Sequence, residues 1–113
     1  MSEYFDLSRI AELQDLLGAD AQTILASMLA SMTTAIEGVE AAIAAGDLDR
    51  ATQNAHRARN DALMLSADPL QQALTDLETA TRGGDDTAAR TALERLQEVW
   101  PPTRAGLAAT AAN

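Results

Sequence analysis

Apolar residues recur along this chain at alternating spacings of three and four, which is the period of an amphipathic α-helix. The first run, Leu7, Ile10, Leu13 and Leu17, predicts a short N-terminal helix. Asp6 or Ser8 is available as its N-cap, and Gly18 follows as the residue that ends it.

Two longer helices are predicted next. Asp20 is the predicted N-cap of the second helix, which ends at Gly46. Its apolar stripe consists of Ile24, Leu25, Met28, Met32, Ile36, Val39 and Ile43. Asp47 is the predicted N-cap of the third helix. A narrow seam of mostly small residues marks its buried side, formed by Leu48, Ala51, Ala55, Ala58, Ala62 and Leu65.

The chain then changes direction at a predicted tight turn near Ala67. Asp68-Pro69 has the form of an N-cap followed by proline at the first helical position. The fourth helix should end at Gly83-Gly84, with Leu70, Leu74 and Leu77 facing inward.

Asp85 or Asp86 should start a fifth helix through Ala89, Leu93, Leu96 and Trp100. Pro101-Pro102 is expected to break or kink this helix, leaving a weakly ordered alanine-rich tail after about residue 102. Residues 1–113 are expected to form a single domain, because 113 residues at 47% hydrophobic suffice for one core. The predicted fold is all-α, an antiparallel up-down four-helix bundle with an additional short N-terminal helix.

Composition excludes several classes of function. The net charge of -9 disfavours nucleic-acid binding, and the chain lacks cysteine for disulfides or thiolate sites. One histidine offers too few ligands for a zinc or haem site, so no metal site is predicted. The N-terminus does not have the pattern of a signal peptide, and no apolar run reaches the ~20 residues of a membrane span. We therefore expect a cytoplasmic protein that does not bind membranes.

His56, the only histidine, is the candidate for chemistry. It lies off the apolar seam of the third helix, so one side of its ring should face water. Although the chain is acidic overall, three arginines, Arg50, Arg57 and Arg59, fall within one stretch of ten residues. Arg59 lies one turn along from His56 and could hold an anion beside the ring, because guanidinium groups match phosphate or carboxylate oxygens. An ordinary surface histidine is the competing interpretation.

Counting outward from the predicted turn identifies a partner for this histidine. His56 and Glu78 each lie eleven residues from Ala67, so they should come level if the third and fourth helices form an antiparallel hairpin. A carboxylate that accepts from Nδ1–H would leave Nε2 as the free, nucleophilic nitrogen. A solvent-exposed glutamate is the alternative.

These residues resemble the signature of the histidine-containing phosphotransfer (Hpt) domain family. Ala55-His56 matches its Ala-His pair, and Arg59 stands where the family has Lys. Ala67 matches the small residue of the family pattern. Leu70 matches its Leu, and Leu77-Glu78 matches a pair that is Leu-Glu or Leu-Gln in the family. Ala58 replaces a Leu, while Asn60 and Ser66 replace Gly. In the family, the glycine that corresponds to Asn60 leaves room for a partner to approach the ring. Asn60 could therefore crowd that approach or donate a hydrogen bond to the phosphate.

The resemblance implies a phosphoryl group carried on His56, accepted from the aspartate of one receiver domain and passed to another. It also implies that Glu78 orients the imidazole and that Mg²⁺ belongs to the receiver, so the chain itself needs no cofactor. Arg59, with Arg57, is expected to offset charge on the phosphate and to attract the receiver, and Asp61 to oppose them. The predicted docking residues are Asn60, together with the apolar Leu63 and Ile10.

The expected partners are response-regulator receiver domains and a hybrid histidine kinase, and the protein is expected to be a monomer. It is not expected to be an enzyme, because no ATP-binding segment is present. Two other interpretations stay open. One is a non-catalytic receiver-binding module without phosphate on His56, and the other is a structural adaptor bundle. A kinase dimerisation domain is disfavoured, because Ser66 to Asn113 is too short for a catalytic domain.

Overall fold

The computed structural model describes residues 4–111, which form five α-helices and a short 3-10 turn. Their order is α1 (Leu7–Leu17), the 3-10 turn (Gly18–Asp20), α2 (Ala21–Ala44), α3 (Leu48–Met64), α4 (Asp68–Arg82) and α5 (Asp86–Ala111). No strand occurs among these residues, so the all-α prediction is confirmed.

Aspartates cap three of the helices. The Asp6 carboxylate accepts from the backbone N–H of Ser8 at 2.8 Å, and Asp47 accepts from that of Arg50 at 3.1 Å. Asp85 accepts from Ala88 at 3.0 Å and so caps α5. Each carboxylate satisfies a backbone donor that has no partner within its helix.

Two predicted caps were wrong in detail. The Asp20 side chain makes no capping hydrogen bond, because residues 18–20 form a 3-10 turn that places the Asp20 backbone in the helical region. The helix α4 begins at Asp68, one residue earlier than predicted. Ala67 is therefore its cap residue, and Pro69 occupies the second helical position.

Of the break or kink predicted at Pro101-Pro102, the break was wrong, because α5 continues through both prolines to Ala111. Two prolines remove two backbone donors from the helix. The residues beyond them are nevertheless packed, since Thr103 and Leu107 are buried. Phe5 lies directly over Gly106, where a Cβ would come within 2.5 Å of the Phe5 ring. This packing offsets the lost hydrogen bonds and keeps the segment helical.

The core forms where α2, α3, α4 and α5 pack together. Each of these helices contacts the next one along the chain, and α5 also contacts α2. The side of α3 that faces this core carries only small residues, the fully buried Ala51, Ala55, Ala58 and Ala62. Small side chains allow neighbouring helices to approach closely, which brings residues on the flank of α3 within reach of α4.

Candidate functional site

His56 lies on the flank of α3, beside the buried Ala55 and two residues before the buried Ala58. Its side chain is 52% exposed, so the imidazole is accessible from solvent. The seam of small residues fixes which face of α3 is covered, and His56 falls at the edge of that face.

The partner of this ring is Glu78 of α4. Its Oε1 lies 2.9 Å from Nδ1 of His56, although Glu78 is only 4% exposed. A buried carboxylate can only accept hydrogen bonds, so the contact favours the tautomer that carries its proton on Nδ1. In that tautomer Nε2 holds the lone pair. The structure thus brings together the two residues that lie equidistant from Ala67.

Two arginines balance the buried charge of Glu78. Arg82 donates from Nη2 to Oε1 at 2.9 Å, and Arg59 places Nε 3.3 Å from Oε2. The Arg59 Nε is buried and makes no hydrogen bond, so this second contact is an ion pair without good hydrogen-bond direction. These contacts give the buried carboxylate the oppositely charged partners that a buried charge needs.

Arg82 is the site residue that the sequence analysis missed. It follows Glu78 by four residues on α4, which is the spacing that places two helical side chains on the same face. That spacing would have identified it once Glu78 had been chosen.

A shallow cleft opens beside the imidazole and is lined by Thr52, Gln53, His56, Arg57, Asn60 and Arg82. Arg57 and Asn60 are exposed, so the predicted binding residues on this part of α3 do face solvent. At the edge of the cleft the hydroxyls of Thr52 and Thr81 lie 2.7 Å apart and join α3 to α4. Guanidinium and amide groups therefore border the open side of the ring.

The residues predicted for docking divide into exposed and buried ones. Leu63 is 59% exposed and lies seven positions after His56, on the same face of α3. Ile10 is 2% exposed and belongs to the core, so its predicted docking role was wrong. Periodicity identified the apolar face of α1 but not that α2 and the rest of the core cover it.

Asp61, which was expected to oppose the arginines, has a partner on another helix. Its carboxylate hydrogen-bonds Ser31 of α2, and partial burial raises its pKa, while the Ser31 hydrogen bond lowers it by less. Asp61 is not among the residues that line the cleft beside His56.

Two further features of residues 4–111 bear on function. These residues contain no group of three or more His, Cys, Asp or Glu side chains placed to hold a metal ion. None of the helices in this range is long and apolar enough to cross a membrane.

An all-helical protein that presents one accessible imidazole, held by a buried carboxylate and bordered by guanidinium groups, has the arrangement of a carrier that accepts an anionic group on histidine. A protein-family model described as Hpt domain matches residues 23–104. The chain therefore belongs to the Hpt domain family, the histidine phosphotransfer domains of phosphorelay signalling.

A solved structure supports the same fold. The chain is similar to histidine-containing phosphotransfer protein B (HptB) from Pseudomonas aeruginosa PAO1, with a TM-score of 0.89 and 19% identity. The similarity covers 99% of this chain and 97% of that one, so the fold extends over both. No curated protein matches the chain.

Proposed function

We propose that His56 is the phosphoacceptor of this Hpt domain and that Glu78 orients its ring. The observation that carries the proposal is the 2.9 Å contact between Glu78 Oε1 and Nδ1 of a half-exposed imidazole. In the tautomer with its proton on Nδ1, the lone pair of Nε2 is available on the open side of the ring, where a second protein can present a phosphoryl group.

The reaction is an in-line displacement at phosphorus. Nε2 of neutral His56 attacks the phosphoryl group of a receiver's aspartyl phosphate. The Nε2–P bond forms as the P–O bond breaks, and the electron pair leaves with the receiver carboxylate. In the onward step a second receiver's carboxylate attacks phosphorus, the P–N bond breaks, and its electron pair returns to Nε2. Glu78 stabilises the positive charge that the ring carries while Nδ1 keeps its proton.

Positive charge at the site comes from arginines on both helices. Arg59 adjoins the ring, while Arg57 and Arg82 line the cleft beside it. Guanidinium groups can offset the charge of the phosphoryl oxygens and attract the acidic pocket of a receiver. Asn60 in the same cleft adds an amide that can reach either the phosphoryl group or the partner.

The partners follow from the family. Hpt domains exchange phosphoryl groups with response-regulator receiver domains and work with hybrid histidine kinases. The Mg²⁺ of the reaction belongs to the receiver, so the chain acts as a phosphocarrier without its own cofactor or independent turnover. We further propose that the protein works as a cytoplasmic monomer. In this proposal α2 to α5 form an antiparallel up-down bundle with α1 as the additional helix.

A phosphotransfer assay tests the function. A receiver domain labelled on its aspartate is mixed with the wild-type chain and with His56→Gln, and label on each protein is followed over time. Label should reach the wild type within seconds to minutes and never reach His56→Gln. The proposal fails if the substituted chain is labelled equally, or if no receiver of the same organism labels the wild type.

Asn60 supports a second candidate, a receiver-binding module that carries no phosphate. Asn60 is exposed in the cleft at the position where the family has glycine. Under this alternative, His56→Gln would bind the receiver and sustain signalling as well as the wild type does. The labelling experiment separates the two functions directly.

A further inference from the structure

Two side chains of opposite hydrogen-bonding character contact the same nitrogen of His56. Glu78 Oε1 lies 2.9 Å from Nδ1, and Arg59 Nη2 lies 3.0 Å from it. A carboxylate only accepts hydrogen bonds, and a guanidinium only donates them. Nδ1 with a proton therefore bonds to Glu78, and Nδ1 without one bonds to Arg59. The two hydrogen bonds cannot exist at the same time.

Arg59 is held on the Nδ1 side of the ring. Its Nε is buried 3.3 Å from Glu78 Oε2, which anchors the guanidinium against α4. It is also not among the residues that line the cleft beside the imidazole, whereas Arg57 and Arg82 are. The arginine that follows the histidine by one turn is thus placed to act on Nδ1.

The charged groups around Nδ1 act in two directions. On α4, Glu78 favours a proton on Nδ1, but its carboxylate is shared with Arg82. On α3, Arg59 opposes the proton twice, because it donates toward the Nδ1 lone pair and also neutralises Glu78. Arg57 adds a further positive charge from the cleft.

The proton on Nδ1 controls how readily a phosphorylated ring loses its phosphoryl group. When the P–N bond breaks, the electron pair returns to Nε2. A ring that keeps Nδ1–H leaves as neutral imidazole, whereas an unprotonated ring must leave as imidazolate, a much poorer leaving group. Attack by water or by a receiver carboxylate obeys the same rule.

We propose that Arg59 is a positioning residue that prolongs the life of the carried phosphoryl group, by holding phosphorylated His56 in its unprotonated form. Glu78 holds the protonated, reactive form. The balance between the two contacts sets how long the domain stores phosphate before it meets a receiver. This inference rests on His56 being the phosphoacceptor.

The lifetime can be measured without any receiver. The chain is phosphorylated chemically with phosphoramidate, and loss of the phosphohistidine signal is followed by ³¹P NMR at constant pH. Arg59→Leu should shorten the half-life roughly tenfold, the lower end expected for one charge-assisted hydrogen bond. Arg50→Leu is the matched control, since it removes the same charge from an exposed position of α3 outside the site and should leave the half-life unchanged.

The tautomer of the unphosphorylated ring gives a second readout, by ¹⁵N NMR. The wild type should show both tautomers, Arg59→Leu should move toward Nδ1–H, and Glu78→Leu toward Nε2–H. Arg59→Ala repeats the test if the leucine variant does not fold. The inference is overturned if the Arg59 variants match the wild type in either half-life or tautomer ratio. Neither of these measurements uses a receiver, so their outcome is separate from that of the labelling assay. Failure of every receiver to label His56 would overturn the proposed function instead.

Discussion

The carboxylate of Glu78 lies 2.9 Å from Nδ1 of His56, although the two residues are 22 positions apart and belong to different helices. The carboxylate is buried and the imidazole is half exposed. The contact therefore fixes one edge of the ring against α4 and leaves the other edge open. Substitutions of Glu78 should change the chemistry of the ring more than they change the fold.

Two substitutions of Glu78 separate its hydrogen bond from its charge. Glu78→Gln keeps an oxygen acceptor for Nδ1–H, so it should retain most of the rate of phosphotransfer. Glu78→Leu removes the acceptor and should slow transfer from a labelled receiver by roughly tenfold or more. Initial rates of labelling measure the effect, and equal rates for the two variants would contradict an orienting role.

Urea unfolding of the same two variants provides the control. Removing one partner of a buried ion pair leaves the other charge uncompensated, and Glu78→Leu leaves the buried Arg59 Nε without its carboxylate. The free energy of unfolding of Glu78→Leu should therefore fall below that of the wild type, and labelling rates are compared under conditions in which both variants are folded. A population of unfolded chain in the assay buffer would assign the lost rate to unfolding.

Arg82→Gln should slow phosphotransfer by roughly three- to tenfold, because Arg82 borders the cleft and pairs with the residue that orients the ring. Arg90→Gln is a matched control. Arg90 is similarly exposed and also pairs with a carboxylate four residues earlier, Asp86, but it lies on α5 outside the site. The same labelling assay should give the wild-type rate for Arg90→Gln. Equal slowing in both variants would point to net charge alone.

The meeting of His56 and Glu78 could be predicted from the sequence because it depends only on counting residues along two helices from one turn. The helix ends were predictable where a glycine or an aspartate marks them, as at Gly18 and Asp47. Continuation of α5 through Pro101-Pro102 was not, because packing of distant residues decided it.

The environment of single side chains was harder to predict than the course of the helices. Ile10 has the spacing of an apolar face, but spacing does not tell whether another helix covers that face. Asp61 follows the arginines closely in sequence, yet its carboxylate hydrogen-bonds Ser31 of α2. Such features depend on how the helices pack together, which a local pattern does not contain.

Leu63→Asp should weaken binding of a receiver domain by roughly tenfold, because a charge would replace an exposed apolar contact on the face that carries His56. Leu16→Asp is the control, since Leu16 is 80% exposed and lies on α1. Isothermal titration calorimetry of each variant with an unphosphorylated receiver measures the affinities. The docking face is misassigned if Leu16→Asp binds more weakly than Leu63→Asp.

Ser66→Gly should stabilise the protein by about 0.5–1 kcal/mol. Ser66 has a φ of 52° in the turn between α3 and α4, a left-handed conformation that a side chain disfavours. The same position carries glycine in the family pattern, which this geometry explains. Chemical denaturation measures the gain, and Ser66→Ala should show none because its Cβ remains.

Asp61→Asn should make the protein more stable at neutral pH, because burial raises the pKa of the Asp61 carboxyl above its ordinary value of 3.8. A raised pKa means that the folded state binds the proton more tightly, so this group's contribution to stability is complete below the ordinary value. It is lost as the pH rises through the folded-state pKa.

The asparagine amide of Asp61→Asn cannot ionise and can still hydrogen-bond Ser31. Unfolding curves should therefore coincide well below pH 3.8 and separate progressively above it, with Asp61→Asn the more stable at pH 7. Glu94→Gln removes the same charge from an exposed position of α5 and controls for general repulsion in a chain of net charge -9. The burial argument fails if Glu94→Gln gains as much stability, or if the gain from Asp61→Asn does not depend on pH.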